Sequence, residues 1–306
     1  MNRFLKKITY FLTPFFIWAV VVFFVDPFNY FNKIDLIDKN TKINAENLNT
    51  LLYRTVDFMN FPTSNILIGD SRTDALPKNL IEKYSKKTFK KLNTNATKLN
   101  EIFDLFYLAN NKHKIDQVVI GINFSMFNKY SFENRISSLK KIFKNPFLYI
   151  YNKDVLEACY FVLRSYFFNI NLDSKPKMNK DQFWKWTIDI KGEHWYGKYD
   201  FPNNIYADLI EFDNFTKHNK TEVIFIIVPH HKDFYERLID FELENEEKKF
   251  KEIMSFLNAK VFDFDYPNSI TENKINFHDP VHYNDSIGKI MVDEIWGNKL
   301  LIGRKL

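Results

Sequence analysis

The sequence predicts an α/β protein: a three-layer sandwich on a mostly parallel sheet, preceded by one N-terminal membrane-spanning helix. Three observations carry this expectation. Residues Ile8 to Val25 form an 18-residue run without a formal charge. Beyond it, short β-branched runs alternate with apolar residues at helical spacing, the rhythm of strands joined by helical crossovers. The chain has 306 residues, 45% of them hydrophobic, with only 7 Gly and 10 Pro, which suits a large packed core and not a disordered or Gly-rich chain.

The uncharged run rises roughly 27 Å as a helix at 1.5 Å per residue, close to the thickness of a bilayer core. Arg3, Lys6 and Lys7 precede it and Asp26 follows. That bias places the N-terminus in the cytoplasm and the remainder outside, a single-pass anchor in the cytoplasmic (inner) membrane with its bulk in the periplasm or cell exterior. The exit sequence VVFFVDPFNYF offers no small-x-small cleavage site, which favours an uncleaved anchor over a signal peptide. The expected division is a tip and anchor over 1–30, a polar stem over 31–61, an α/β domain over 62–298 and a tail over 299–306.

Within that domain, residues 65–68 and 117–122 read as buried strands, with Leu99, Ile102, Phe103, Phe106 and Tyr107 at helical spacing before the second, a right-handed β-α-β unit. An aromatic-rich insertion runs from about 129 to 220. Val155, Cys159, Val162, Leu163 and Tyr166 mark a helical face in it, which makes Cys159 a core residue. The α/β rhythm then resumes with strands at 223–228 and 261–264, a helix through Phe250, Ile253, Met254 and Leu257, and a last helix through Ile287, Ile290, Met291 and Ile295. Cys159 is the single cysteine, which excludes an internal disulfide, a Cys-rich zinc module and a self-ligated iron–sulfur cluster. The net charge of +5 is spread over 43 basic and 38 acidic residues without a dense basic stripe, which argues against a nucleic-acid partner.

Two short motifs carry chemistry. Gly69-Asp70-Ser71 follows the first strand, where open α/β folds place reactive groups because their loops open into a crevice there. Taken alone, Ser71 reads as a helix cap. Near the other end stands Asp279-Pro280-Val281-His282. An Asp three residues before a His can reach Nδ1 and turn Nε2 outward as a general base; taken alone, the motif is a surface turn. Together they outline a Ser-His-Asp triad.

In these motifs the chain resembles the SGNH (GDSL-like) hydrolase superfamily, on a flavodoxin-like sheet. It is closer to the membrane-anchored extracytoplasmic branch that includes cell-envelope polysaccharide O-acetyltransferases and the D-alanine transfer proteins of teichoic-acid modification. The resemblance covers roughly residues 62–128 and 221–298. It implies Ser71 as nucleophile, His282 as acid and base, and Asp279 as its orienter. The Ser71 backbone amide would hold the oxyanion with Asn123, since Gly121-Ile122-Asn123-Phe124 keeps the G-x-N of the family's third block and loses its Asp. The second block, Asn93 to Leu99, lacks the glycine whose amide usually joins the oxyanion hole, and Asn95 is the candidate in its place. Losing one such donor costs roughly 100- to 1,000-fold in rate.

The resemblance implies a serine esterase or O-acyltransferase acting on acyl esters of a cell-envelope glycan, without a cofactor, and with a multi-pass acyl-exporting membrane protein as partner. A non-catalytic glycan-binding or assembly protein on the same fold is the first alternative. The second is a metal-dependent phosphohydrolase using His278, Asp279 and His282, joined by His230 and His231. Arg72 and His230 are candidates for binding substrate, and Trp184, Trp186 and Trp195 for a carbohydrate platform, because aromatic faces suit the C–H faces of sugar rings.

Overall fold

The computed structural model describes residues 2–34, 36–169, 178–297 and 299–306. The chain divides into two compact units, Met1–Phe61 with Arg135–Lys175, and Pro62–Asn134 with Pro176–Leu306.

In the first unit the helix Asn2–Val25 is long and apolar enough over Arg3–Val25 to cross a membrane, with a mean hydropathy of 2.2. It stops at Asp26, whose buried carboxylate accepts the amides of Tyr30, Phe31 and Asn32 and the hydroxyl of Tyr149. Burial outweighs these bonds and holds the Asp26 pKa above its ordinary value. Residues 31–61, expected as a plain stem, contain two capped helices, Lys39–Leu48 and Thr50–Asn60, the first capped by Asp38 and the second by Asn49. The helix Lys153–Phe168 packs against the first of them, and Val155, Ala158, Cys159 and Val162 form its buried stripe. The insertion read at 129–220 is therefore shared: its first part joins this unit and the rest belongs to the second. Asn- and Lys-rich spacing concealed the amphipathic pattern of Ala45, Leu51, Leu52, Val56 and Phe58, all buried.

The second unit is built on a six-stranded sheet. Its strands are β1 (Asn65–Ile68), β2 (Lys90–Lys91), β3 (Gln117–Ile122), β4 (Glu222–Ile227), β5 (Lys260–Asp263) and, after the hairpin of β6 (Phe277–Asp279) and β7 (His282–Tyr283), β8 (Arg304–Lys305). The order is β2-β1-β3-β4-β5-β8, parallel through β5, with β8 antiparallel at the edge. This is the flavodoxin-like doubly wound order, in which the chain reverses direction across the sheet between β1 and β3 and leaves a crevice at their carboxyl ends.

Helices cover both faces, so the central strands are apolar at consecutive positions instead of alternating. On one face Leu67, Val119, Ile224 and Ile226 share a core with Ile81 of helix Lys78–Ser85 and with Ile287, Met291 and Ile295 of helix Asp285–Trp296. On the other, Phe225 meets Phe212 of helix Asn203–His218, which stacks on Phe103 of helix Leu99–Lys112. The four long strands fall within one residue of their expected positions, and the sandwich has the expected three layers. β2 and β8 were not legible, because two-residue edge strands of Lys and Arg carry no apolar pattern. The segment expected as a tail pairs with β5 through β8.

Candidate active site

Ser71 follows β1 at the point where the sheet order reverses. The segment after it is a short 3-10 turn, Ser71–Ala75, and the longer helix starts only after Pro77. Asp70 caps that turn, its Oδ1 accepting the Arg72 amide at 2.9 Å and its carbonyl the Thr73 amide at 3.1 Å. The Ser71 amide is taken by neither. Gly69 sits at φ 157°, and a Cβ there or at Gly121 would run into Thr73 Oγ1. Glycine on β3 and in the turn after β1 thus lets the buried Thr73 side chain lie between them, which draws the Ser71 turn down onto the sheet.

The tight hairpin β6–β7 delivers the other two residues. Asp279 Oδ1 accepts the backbone amides of Val281 at 2.9 Å and His282 at 3.1 Å, closing the turn, while Oδ2 lies 2.7 Å from His282 Nδ1. His282 Nε2 lies 2.8 Å from Ser71 Oγ. An ionised Asp279 only accepts, so Nδ1 carries the imidazole proton and Nε2 presents its lone pair to the serine hydroxyl. Burial raises the Asp279 pKa, but the hydrogen bond and charge of His282 and the Val281 amide outweigh it and hold the carboxyl below its ordinary value. Two further bonds fix the hairpin: Tyr283 Oη donates to the Arg72 carbonyl at 2.7 Å, and the His231 amide donates to the Pro280 carbonyl at 2.8 Å. Residues 211 positions apart in the chain are thereby held in one hydrogen-bonded line.

The remaining candidates divide sharply. Asn123 is buried at the end of β3, with Oδ1 accepting from Ser125 Oγ at 2.5 Å and Nδ2 3.4 Å from Asp70 Oδ2. Asn95 is exposed in the turn after β2, next to Ala96 at φ 53°. Arg72, expected as an anion binder, is instead buried and paired with Asp70 at 2.5 Å. Burial opposes its charge, yet Asp70 and, farther off, Asp265 hold its pKa above the ordinary value. His230 is likewise buried, with its Nδ1 2.7 Å from Asp265. Of the three Trp residues expected as a carbohydrate platform, Trp184 departs from the expectation. Trp184 is buried in the core with its Nε1 donating to Asp233 at 2.9 Å, and Trp186 stacks on Phe183. Trp195 alone is joined to the site, half-buried with the Arg72 guanidinium 5.5 Å from its ring centre.

The metal reading does not match the geometry. Among the described residues no three His, Cys, Asp or Glu side chains group to hold an ion. His278 is exposed and His231 buried, and both carboxylate oxygens of Asp279 serve its own turn and His282.

Further residues with no motif to betray them also belong to the neighbourhood. Lys191 ends a π-helical turn, Thr187–Lys191, a form often found at functional sites, and its Nζ lies 6.0 Å from the Trp195 ring centre. Burial pushes its ammonium pKa down, while Asp279 draws it up and Arg72 adds to the depression. Ser125 and Trp195, with Asn128, Tyr130, Glu193 and His194, line a cavity of about 320 Å³, and Asn128 Nδ2 organises its wall by donating to the carbonyls of Trp195 and Lys198.

No family model matches the chain, and no curated protein does. Among solved structures it is similar to an acetyl-xylooligosaccharide esterase mutant from Geobacillus, with 12% identity over 78% of this chain and 94% of that one, TM-score 0.39. A protein assigned to the G-D-S-L lipolytic family from Desulfitobacterium hafniense shares 9% identity over 78% and 99%, TM-score 0.38. One assigned as an acylhydrolase from Bacteroides fragilis shares 11% over 78% and 87%, TM-score 0.37. At such identities and scores these are likenesses of outline. The chemistry rests on this chain's own residues: a serine hydroxyl, an imidazole and a carboxylate in a hydrogen-bonded line at the switch point of a doubly wound sheet.

Proposed function

We propose that the protein is a serine-dependent acyl-transfer enzyme of the SGNH type, an esterase or O-acyltransferase. In this reading residues 3–25 tether it to the cytoplasmic membrane, its α/β unit faces the periplasm or cell exterior, and its substrate is an acyl ester of a cell-envelope glycan. The observation that carries the reading is the Ser71–His282–Asp279 line, with contacts of 2.8 and 2.7 Å.

Ser71 Oγ attacks the acyl carbonyl as its proton passes to His282 Nε2, and the carbonyl π pair becomes the oxyanion. Asp279 stays ionised and stabilises the imidazolium. The Ser71 amide and Asn123 Nδ2 are the proposed oxyanion donors, with Asn95 from the second block; Nδ2 carries two N–H groups, of which one faces Asp70 and the other is left for the oxyanion. Collapse of the intermediate breaks the ester C–O bond, and His282 returns its proton to the departing alcohol. Water or a sugar hydroxyl, deprotonated by His282, then takes the acyl group and frees Ser71. The cavity beside Trp195 pairs aromatic faces with polar side chains and suits a sugar ring. It replaces the broader Trp platform. For transfer, a multi-pass membrane protein that exports the acyl group is the expected partner.

The test is an acetyl donor such as p-nitrophenyl acetate, followed by peptide mass spectrometry and a chase with envelope oligosaccharides. The expected result is acetyl on the Ser71 peptide that is chased into sugar or released as acetate. Turnover that persists in Ser71→Ala would overturn the reading.

A further inference from the structure

The helix Lys153–Phe168 carries a second apolar stripe besides its buried one. Its inner stripe is occupied by packing within the first unit. Leu156, Tyr160, Leu163 and Phe167, spaced i, i+4, i+7 and i+11, make a second stripe facing outward, with Tyr160 59% and Phe167 68% exposed. A water-exposed helix places polar residues on that side, and a large exposed apolar patch marks an interaction surface. Lys153, seven residues before Tyr160, and Arg164, four residues after it, border the outward stripe. Asp154 is held by Asn49 Nδ2 at 2.6 Å, Glu157 and Arg164 are half-buried, and Lys153 at the first turn has a stem long enough to carry its charge aside. The preceding short helix, Pro146–Ile150, adds Phe147, 67% exposed, Leu148 and Tyr151.

What covers these side chains is indicated by where they meet the N-terminal helix. Trp18 Nε1 donates to the Ile150 carbonyl at 2.8 Å, Tyr151 Oη donates to the Phe15 carbonyl at 3.3 Å, and the rings of Phe15 and Tyr151 meet edge-on at 6.3 Å. Trp18 and Phe15 lie seven and ten residues before the end of the helix at Val25, roughly 10 and 15 Å below it at 1.5 Å per residue. If that helix spans a bilayer, residues 147–151 lie within the hydrocarbon region too. Backbone groups at that depth need partners inside the protein, and the bond from Trp18 to the Ile150 carbonyl is one of this kind.

We infer that residues 146–168 form a re-entrant membrane element, with the turn at 147–151 and the outward stripe of Lys153–Phe168 immersed among the lipids of the leaflet that holds Trp18. The inference rests on the reading of residues 3–25 as a membrane span, where Phe15 and Phe16 are exposed and Phe15 meets Tyr151. Tyr166, exposed near the end of the helix, supplies an amphipathic ring of the kind that favours the headgroup level. Lys141 and Lys144, exposed on the preceding helix Arg135–Lys144, carry the sign that suits lipid phosphates.

The experiment places single cysteines in the full chain, reconstituted in phosphatidylglycerol–phosphatidylcholine vesicles and labelled with an environment-sensitive fluorophore. Leu148→Cys, Tyr160→Cys and Phe167→Cys report on the element, Phe16→Cys on the span and Lys248→Cys on water. They are made in a Cys159→Ala background and, in case that core change impairs folding, also with the buried native Cys159 retained. Doxyl-lipid is expected to quench labels at 16, 148, 160 and 167 several-fold more than the label at 248. Quenching at 16 without quenching at 148, 160 and 167 overturns the re-entrant element and leaves the span standing. Energy transfer between copies at 160 without lipid quenching assigns the face to a second copy and also overturns it. A label at 16 quenched no more than that at 248 removes the span and the inference together.

Discussion

Asp279→Asn isolates what the Asp-x-x-His turn does. The change keeps the shape of the side chain and one carbonyl oxygen, which can still accept from the amides of Val281 and His282, now 2.9 and 3.1 Å from Oδ1. The fold of the turn survives. The other oxygen, 2.7 Å from His282 Nδ1, becomes an NH2 group that can only donate. His282 answers by leaving Nδ1 unprotonated and carrying its proton on Nε2, so that Nε2 no longer accepts from the Ser71 hydroxyl 2.8 Å away. The equivalent change in a serine-protease triad lowers kcat by about 10⁴-fold, or about 5 kcal/mol in activation free energy. The assay is p-nitrophenyl acetate hydrolysis after subtraction of the Ser71→Ala background, with thermal unfolding as the control for structure. A well-folded Asp279→Asn protein that keeps more than a tenth of the native rate would refute the assignment of Asp279 as the orienter of His282.

Three further outcomes are expected. Gly121→Ala drives a methyl group into Thr73 Oγ1 and should cost roughly 1–3 kcal/mol of stability, the usual range for overpacking; Thr73→Ala in the same chain should restore part of it in urea titrations, and strict additivity of the two changes would contradict the contact. Because the folded-state pKa of Asp279 is depressed, its contribution to stability is complete above the unfolded value of about 3.9 and disappears as pH falls through the folded value. The urea midpoint should therefore drop below about pH 4, less steeply in Asp279→Asn, and an identical slope in the two proteins would contradict the sign. Trp195→Ala should raise KM for an acylated oligosaccharide while leaving p-nitrophenyl acetate turnover within about two- to threefold, as expected when binding that is equal in ground and transition state is removed; equal losses on both substrates would place Trp195 in the chemistry instead.

The elements visible in the sequence were those whose pattern is set locally. A strand buried on both faces, such as Val118 to Ile122, announces itself by composition, and the Asp-x-x-His spacing encodes a turn that three hydrogen bonds then close. Long-range facts were less accessible. Nothing near Arg72 discloses that Asp70 neutralises it and that Tyr283 binds its carbonyl from 211 residues away. The order of Trp residues in the insertion suggested a platform, but core packing claims Trp184, and only Trp195 reaches Arg72. Lys191 approaches the site through a π-helical turn that has no sequence signature. The polar stretch 31–61 concealed two helices because Asn and Lys surround its apolar positions, and the first helix is packed by Lys153–Phe168, far along the chain.

The central claim is that the Ser71 hydroxyl is an activated nucleophile. Its most direct measurement is reaction with an alkyl fluorophosphonate, followed by intact-mass and peptide analysis of the native chain, Ser71→Ala and His282→Ala. One adduct per chain, on the peptide containing Ser71 and absent from both variants, is the predicted result. A folded native chain that takes up no label, or takes it up equally in Ser71→Ala, would contradict the account.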